Sequence, residues 1–263
     1  MRPEEEMVQA LRFLASNQFH LHNANLGGFS LASSYRGVWR VIDRIAASAN
    51  RYISWPNEAK ARQTKARFMD SYGIPGVVGC IDCTHVEFSA TGVQREEFRD
   101  RRNRLSLNVQ AIVDYDYKFI SINASWPGRC HDSFILQNSN FFERFERGEA
   151  PGLLLGDSGY GNGRRWLLTP YAPAATAAQQ RFNAAQRRGR VRAENGYGQL
   201  KRRFPGLGGS LRVQHDFNQP DAFDEPGFVN PEPEPEGNED EDEDMGQIEG
   251  RRFRDLLVER YFA

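Results

Sequence analysis

Four carboxylates occupy positions where a charge is either costly or useful. Asp82 lies in the middle of VVGCIDCTHV, a run otherwise apolar enough for a buried central strand. An ionised carboxylate there costs several kcal/mol unless something compensates it. Asp157 repeats the situation at the end of GLLLGD, before the turn Ser158-Gly159-Tyr160-Gly161, and Asp132 opens a helical pattern after PGRCH. Glu194 sits among Arg187, Arg188, Arg190, Arg192, Lys201 and Arg202. The intervals from Asp82 to Asp132, to Asp157 and to Glu194 are 50, 25 and 37 residues, so the four must come from separate elements. Acids brought together at the rim of one sheet form the hard oxygen-donor set that Mg²⁺ or Mn²⁺ prefers. Two such ions, about 3.5–4 Å apart, stabilise the attacking and leaving oxygens of a phosphodiester. Plainer readings stand beside this one: Asp132 as a helix cap, Asp157 as a turn residue, Glu194 as half of an ion pair. Asp82 has no comparably simple alternative.

Helical spacing puts Arg190 and Lys201 on the face of Glu194, where cations beside a metal-holding acid suit neighbouring phosphates. The alternative is an Arg190–Glu194 pair worth a few tenths of a kcal/mol. Cys80, Cys83, Cys130 and His131 make a poor zinc site, because Cys80 and Cys83 point to opposite faces of a strand and no second Cys pair follows. They read better as small buried apolar groups. Thr84 and His85 read as strand-end packing, His131 as a structural hydrogen-bonding group, and Trp166 and Tyr171 as core.

The elements that would carry these residues are partly visible. Residues 4–16 predict a helix with Met7, Leu11 and Leu14 on its apolar face, and residues 34–48 a second one capped by Ser33 or Ser34. With the polar, Gly-containing stretch 23–30 between them, residues 1–60 resemble a helix-turn-helix region offering Arg36, Arg40 and Arg44 to phosphates; a helical cap on the main domain is the competing reading. After the linker 54–58, residues 59–72 predict a helix. Strands follow at 77–86, 105–113 and 118–126, with 114–117 as a hairpin turn. A helix over 132–147, a short strand over 152–156 and a long basic helix over 182–204 complete a mixed α/β sheet with flanking helices. Order is expected to fade after Pro205. The acidic, Pro-rich segment 213–250 is expected to be disordered, and residues 251–263 to form a short terminal helix.

Charge is sharply divided. Residues 216–263 hold sixteen Asp/Glu against four Arg, a net of −12, which leaves thirty Lys/Arg against nineteen Asp/Glu before them, a net of +11. That division suits a binder of anionic polymers screened by its own tail, so the tail is expected to compete with nucleic acid; an ordinary enzyme surface with a disordered tail is the alternative. No apolar run approaches the length of a membrane span. Acids at the start of the chain argue against a signal peptide, and three cysteines fit a reducing compartment.

GCIDCTHV, PGRCHDSFILQNS, LLLGDSGY with WLLTPY, and RVRAENGYGQLKRRFP occur in that order between Gly76 and Pro205. Together they resemble the DDE endonuclease domain of PIF/Harbinger transposases and the nucleases derived from them. The resemblance implies a ribonuclease H-like domain over 73–212 with Asp82, Asp157 and Glu194 as catalytic, metal-holding triad and Asp132 as a fourth acid near the metals. It implies Mg²⁺ or Mn²⁺, DNA as substrate held by Arg190, Lys201, Arg202, Arg203, Arg40 and Arg44, and a two-metal hydrolysis of phosphodiesters. A Myb-like DNA-binding partner, a homo-oligomer and the nucleus, with the cytoplasm as a second compartment, are the corresponding expectations. A catalytically silent DNA-binding or scaffolding protein is the alternative. Arg190, Glu194 and Lys201 also fall at the spacing of the Arg–Glu–Lys signature of bacterial insertion-sequence transposases, although Arg187 stands where that signature has Tyr. One departure matters: after the Arg-Phe-Pro motif the family continues into an apolar helix that closes the sheet, whereas LGGSL here runs into QHD and the acidic stretch. The expectation is a deleted closing helix and a poorly stable or inactive domain.

Overall fold

A computed structural model describes residues 1–91, 93–161, 163–216 and 245–263. The helices are α1 (Pro3–Ser16), α2 (His20–Gly27), α3 (Leu31–Ala47), α4 (Glu58–Tyr72), α5 (Asp132–Gln137), α6 (Phe142–Glu146), α7 (Ala177–Arg203) and α8 (Met245–Phe262). The strands are β1 (Val77–Thr91), β2 (Ser106–Val113), β3 (Phe119–Pro127), β4 (Leu153–Leu155), β5 (Leu167–Leu168) and β6 (Ser210–Asp216). They form one mixed sheet in the order β3-β2-β1-β4-β5, with β6 also on β1.

The length of β1 organises the sheet. One edge pairs antiparallel with β2 from Cys80 to Glu87. The other is shared: β4 runs parallel to Val77–Cys80 and β6 parallel to Glu87–Thr91. Residues 81–86 therefore have no ladder partner on that edge, and β4 and β6 diverge from β1 like the arms of a fork. Alternation along the strands separates two cores. Val77, Cys80, Val113 and Leu155 pack under α4, α7 and α8 with Phe68, Phe182 and Leu257. Val78, Ile81, Ile112 and Leu154 pack under α5 and α6 with Leu136, Phe145 and Trp166.

Several elements depart from expectation. Helix α2 takes up residues 23–27 of the stretch 23–30 read as a polar connection, and the cap of α3 is Ser30, whose Oγ accepts from the Ser33 amide at 3.2 Å. Ser34 is buried instead, donating to Gln9 Oε1 at 3.1 Å. Helix α1 turns Gln9, Ala10 and Phe13 inward and leaves Met7 and Leu11 exposed. Hydrogen bonds decide this: Gln9 O accepts from Asn23 at 3.0 Å, and the His20 ring stacks on Phe13 at 4.4 Å. The helix expected over 132–147 breaks between α5 and α6, where Ser139 Oγ donates to Gln110 Oε1 at 2.8 Å. Past Pro205 the chain pairs with β1 as β6 rather than losing order.

The terminal helix expected over 251–263 forms as α8 and packs on the sheet. Its Leu257, Val258 and Phe262 are buried in the same core as Phe182, and Arg181 Nε donates to Phe262 O at 2.7 Å. The apolar cover is supplied from beyond the acidic stretch. Of the segment expected to be disordered, 213–216 lies in β6 and 245–250 in α8; 217–244 lies outside the described residues.

Candidate active site

Asp82 sits on β1 within the stretch that β4 and β6 leave unpaired. Its Oδ2 is 3.7 Å from Arg190 on α7, and the same guanidinium meets Glu194 Oε1 at 2.8 Å. The pair at i and i+4 on α7 is thus the plain helical pairing, extended across the sheet to a third group. Burial drives the Asp82 carboxyl up to about 6; the charges of Asp157 and Glu194 add to the rise, while Arg190 and the Cys83 amide oppose it.

Asp157 follows β4, and its Oδ1 accepts from the Gly159 amide at 3.0 Å, so the turn role and the acid role coincide. Burial raises its pKa, and the Asp132 charge pushes the same way. Asp132 is the first residue of α5 after the N-cap position His131, and its Oδ1 accepts from Asn108 Nδ2 at 3.0 Å. A Cβ placed on Gly159 would lie 3.2 Å from Asp157 Oδ1 and 3.8 Å from Asp132 Oδ2, so both carboxylates flank one point at this turn.

Asp132, Asp157 and Gly159 line a cavity of about 700 Å³ that fills the mouth of the fork, with Gly208 and Gly209 ahead of β6 on the opposite wall. Lys201 reaches across it, donating to Thr84 Oγ1 at 2.7 Å and His85 O at 3.0 Å. Half-burial lowers its pKa. His85 Nδ1 meets Ser106 Oγ at 3.0 Å, and burial lowers the His85 pKa.

Two groups therefore emerge: Asp82, Arg190 and Glu194 in an ion-paired chain, and Asp132 with Asp157 on the cavity wall. Among the described residues no three His, Cys, Asp or Glu side chains stand close enough to enclose an ion in this arrangement. The donor chemistry nonetheless fits a hard divalent ion: the acids offer only carboxylate oxygens, and Asp82, raised chiefly by burial, also feels the charges of Asp157 and Glu194. Arg202 and Arg203 are exposed on the last turn of α7. Arg44 is exposed on α3, and Arg40 there donates to Glu6 at 2.7 Å; neither lines the cavity. Cys80 Sγ donates to Gly189 O at 3.3 Å in one core, whereas Cys83 contacts Tyr160 at 3.2 Å beside the other. Trp166 is buried, and Tyr171 donates to Asp255 at 2.7 Å.

Sequence reasoning missed Asn108 and the turn Arg101-Arg102-Asn103-Arg104. Asn108 was legible only as one polar residue in an alternating strand; the arginine triplet was visible, but nothing local tied it to Asp132.

The family described as DDE superfamily endonuclease matches residues 81–221, more than half of the chain. The "Putative nuclease HARBI1" of Bos taurus is 33% identical over 210 residues, covering 79% of this chain and 60% of that protein. Its Mus musculus counterpart is 35% identical over 185 residues, covering 70% and 53%. The "Protein ALP1-like" of Arabidopsis thaliana is 28% identical over 224 residues, covering 79% and 54%. The chain thus spans between half and two thirds of the length of these relatives. No solved structure matches.

Proposed function

Because the chain belongs to the DDE superfamily of endonucleases, we propose that it hydrolyses DNA phosphodiester bonds with divalent metal ions held by Asp82, Asp157 and Glu194, with Asp132 as a fourth acid. The strand order, with β2 antiparallel to both β1 and β3 and with β4 parallel to β1, supports a ribonuclease H-like reading of the sheet. The observation that carries the proposal is electrostatic: Asp82, buried at an open strand edge, feels Asp157 and Glu194 as like charges from two other elements. A structural ion pair needs no such surplus of carboxylates.

A divalent ion bound there supplies positive charge to the phosphate and lowers the pKa of an attacking water. The chain's own groups do the rest. Asn108 holds Asp132 in one orientation, and the Gly159 and Tyr160 amides hold the Asp157 carboxylate. Arg190, about one-fifth exposed, is suited to exchange Asp82 for a phosphate oxygen. Lys201 ties α7 to the end of β1 and presents its charge to the cavity. DNA is the proposed partner, with Arg202, Arg203, Arg40 and Arg44 as further phosphate contacts and α2–α3 as a helix-turn-helix-like arm. A Myb-like protein, a second copy of the chain and a nuclear location belong to the same proposal.

One observation favours a second reading, a DNA-binding scaffold without turnover: Arg190 lies between Asp82 and Glu194, where it neutralises both. Nicking of repeat-end and random DNA in Mg²⁺ or Mn²⁺ separates the two. Cleavage by the wild type that Asp82→Asn and Glu194→Gln abolish is expected. Salt-sensitive binding without any cleavage would establish the scaffold instead.

A further inference from the structure

Resting on the reading that the cavity receives DNA, we infer that Arg101 and Arg102 form a preorganised phosphate clamp that seats the substrate strand beside Asp132 and Asp157. Both line the cavity and both are exposed. The other two cations on its wall are engaged: Arg104 pairs with Glu87 and with Asp100 at 3.0 Å, and Lys201 holds Thr84 and His85. Among the described residues neither Arg101 nor Arg102 meets a carboxylate; Arg101 donates to the His131 ring at 2.7 Å.

The turn carrying them is rigid. Asp100, nearly buried, accepts from the Arg102 and Arg104 amides, each at 2.9 Å, and the Asn103 amide closes on Asp100 O at 2.9 Å. Asn103 takes φ 62°, a left-handed conformation that Asn tolerates. The turn is also fixed to the loop bearing Asp132. Gly128 donates to Ser106 O at 2.7 Å, and a Cβ there would lie 2.2 Å from Ser106 Oγ and 3.3 Å from Asp100 Cβ. Guanidiniums that meet no carboxylate, carried on a fixed turn beside two acids, suit an anionic backbone threaded past the acids, because the turn itself need not reorder at the moment of contact.

The test measures binding of the full chain, with a chelator present, to one labelled DNA strand and to its duplex from about 50 to 200 mM salt. Losing two phosphate contacts in Arg101→Gln/Arg102→Gln should reduce the slope of log affinity against log salt by about 1.4 on a single strand and about 1.8 on a duplex. Arg101→Lys/Arg102→Lys should restore most of it. Arg62→Gln/Arg147→Gln, which removes the same charge away from the cavity, should leave the slope unchanged. An unchanged slope in the first variant, or an equal fall in the control pair, overturns the inference. A wild type that never cuts DNA, with the slope falling as stated in the Arg101→Gln/Arg102→Gln variant, would refute the nuclease reading alone.

Discussion

Asp82→Asn should stabilise the metal-free protein above neutral pH while destroying its function. The Asp82 carboxyl titrates at about 6 in the fold against an ordinary 3.8. At 1.36 kcal/mol per tenfold change, that difference corresponds to about 3 kcal/mol of destabilisation once the group is ionised. A carboxyl raised in the fold gives its full stability below the unfolded value and loses it as pH climbs through the folded value, so the window runs from 3.8 to about 6. The amide is neutral throughout and forfeits little, because the Arg190 contact at 3.7 Å is too long for a hydrogen bond and Arg190 keeps Glu194 at 2.8 Å. For a domain of this size the gain is an upper bound of about 6–12 °C in Tm. Melting curves of both proteins with a chelator at several pH values should coincide near the lower limit and separate until pH 7. A constant separation, or a less stable variant at pH 8, would refute the placement of Asp82 in a charge-excess pocket. Added Mg²⁺ should then narrow the gap by raising the wild type alone.

Phe262→Ala should cost about 3–5 kcal/mol in urea unfolding, because Phe262 packs edge-on against Phe182 at 5.5 Å and anchors α8 in the core; a loss under 1 kcal/mol would mean that α8 closes nothing. Gly128→Ala should destabilise by about 1–3 kcal/mol or more, since its Cβ would meet Ser106 O at 2.8 Å and backbone must move; an unaltered melt would show that the two loops are not fixed together. Replacing the Asp and Glu of 232–244 by Asn and Gln, with α8 intact, should tighten DNA binding at low salt and leave it unchanged at high salt. Equal affinity at low salt refutes competition by the acidic segment.

The replacement design matters because truncating the tail would also remove α8, and this shows where the sequence was legible. Asp82 and Asp157 stood out since a charge in an apolar run, or at the end of one, is conspicuous without any tertiary knowledge, and Glu194 stood out as an acid on a basic helix. Strands β1 to β4 announced themselves by largely apolar runs bounded by turns. Helix α8 was legible as a terminal helix over 251–263, but its place was not: Leu257, Val258 and Phe262 belong to a core whose other residues lie far earlier in the chain, across a stretch with twelve acids and no Lys or Arg. Strand β6 was invisible because its identity lies in pairing with the far half of β1. In α1 the apolar periodicity of Met7 and Leu11 misled, as Gln9 and Asn23 settle the inner face through hydrogen bonds that no hydrophobic pattern encodes.

The fork in the sheet gives these details a common cause. Asp82 shares with Cys80 the face of β1 that α7 covers, which is where its carboxylate meets Arg190. Because β4 stops at Leu155 and β6 begins only at Ser210, α7 is what spans the open edge, with Gly189 passing close to Leu155 and Gly196 close to Val113. That close passage sets Arg190 and Glu194 over Asp82 and brings Lys201 to Thr84. The small residues of α7 thereby govern the acids. Bulk at Gly189 would lift the helix from Leu155 and separate Glu194 from Asp82, whereas the same bulk at exposed Gly198, which has no neighbour within 4 Å, would not. Gly189→Val should therefore erode Asp82-dependent pH behaviour before it abolishes folding, and Gly198→Val should preserve it. An identical pH profile in both variants would separate the acids' environment from the packing of α7.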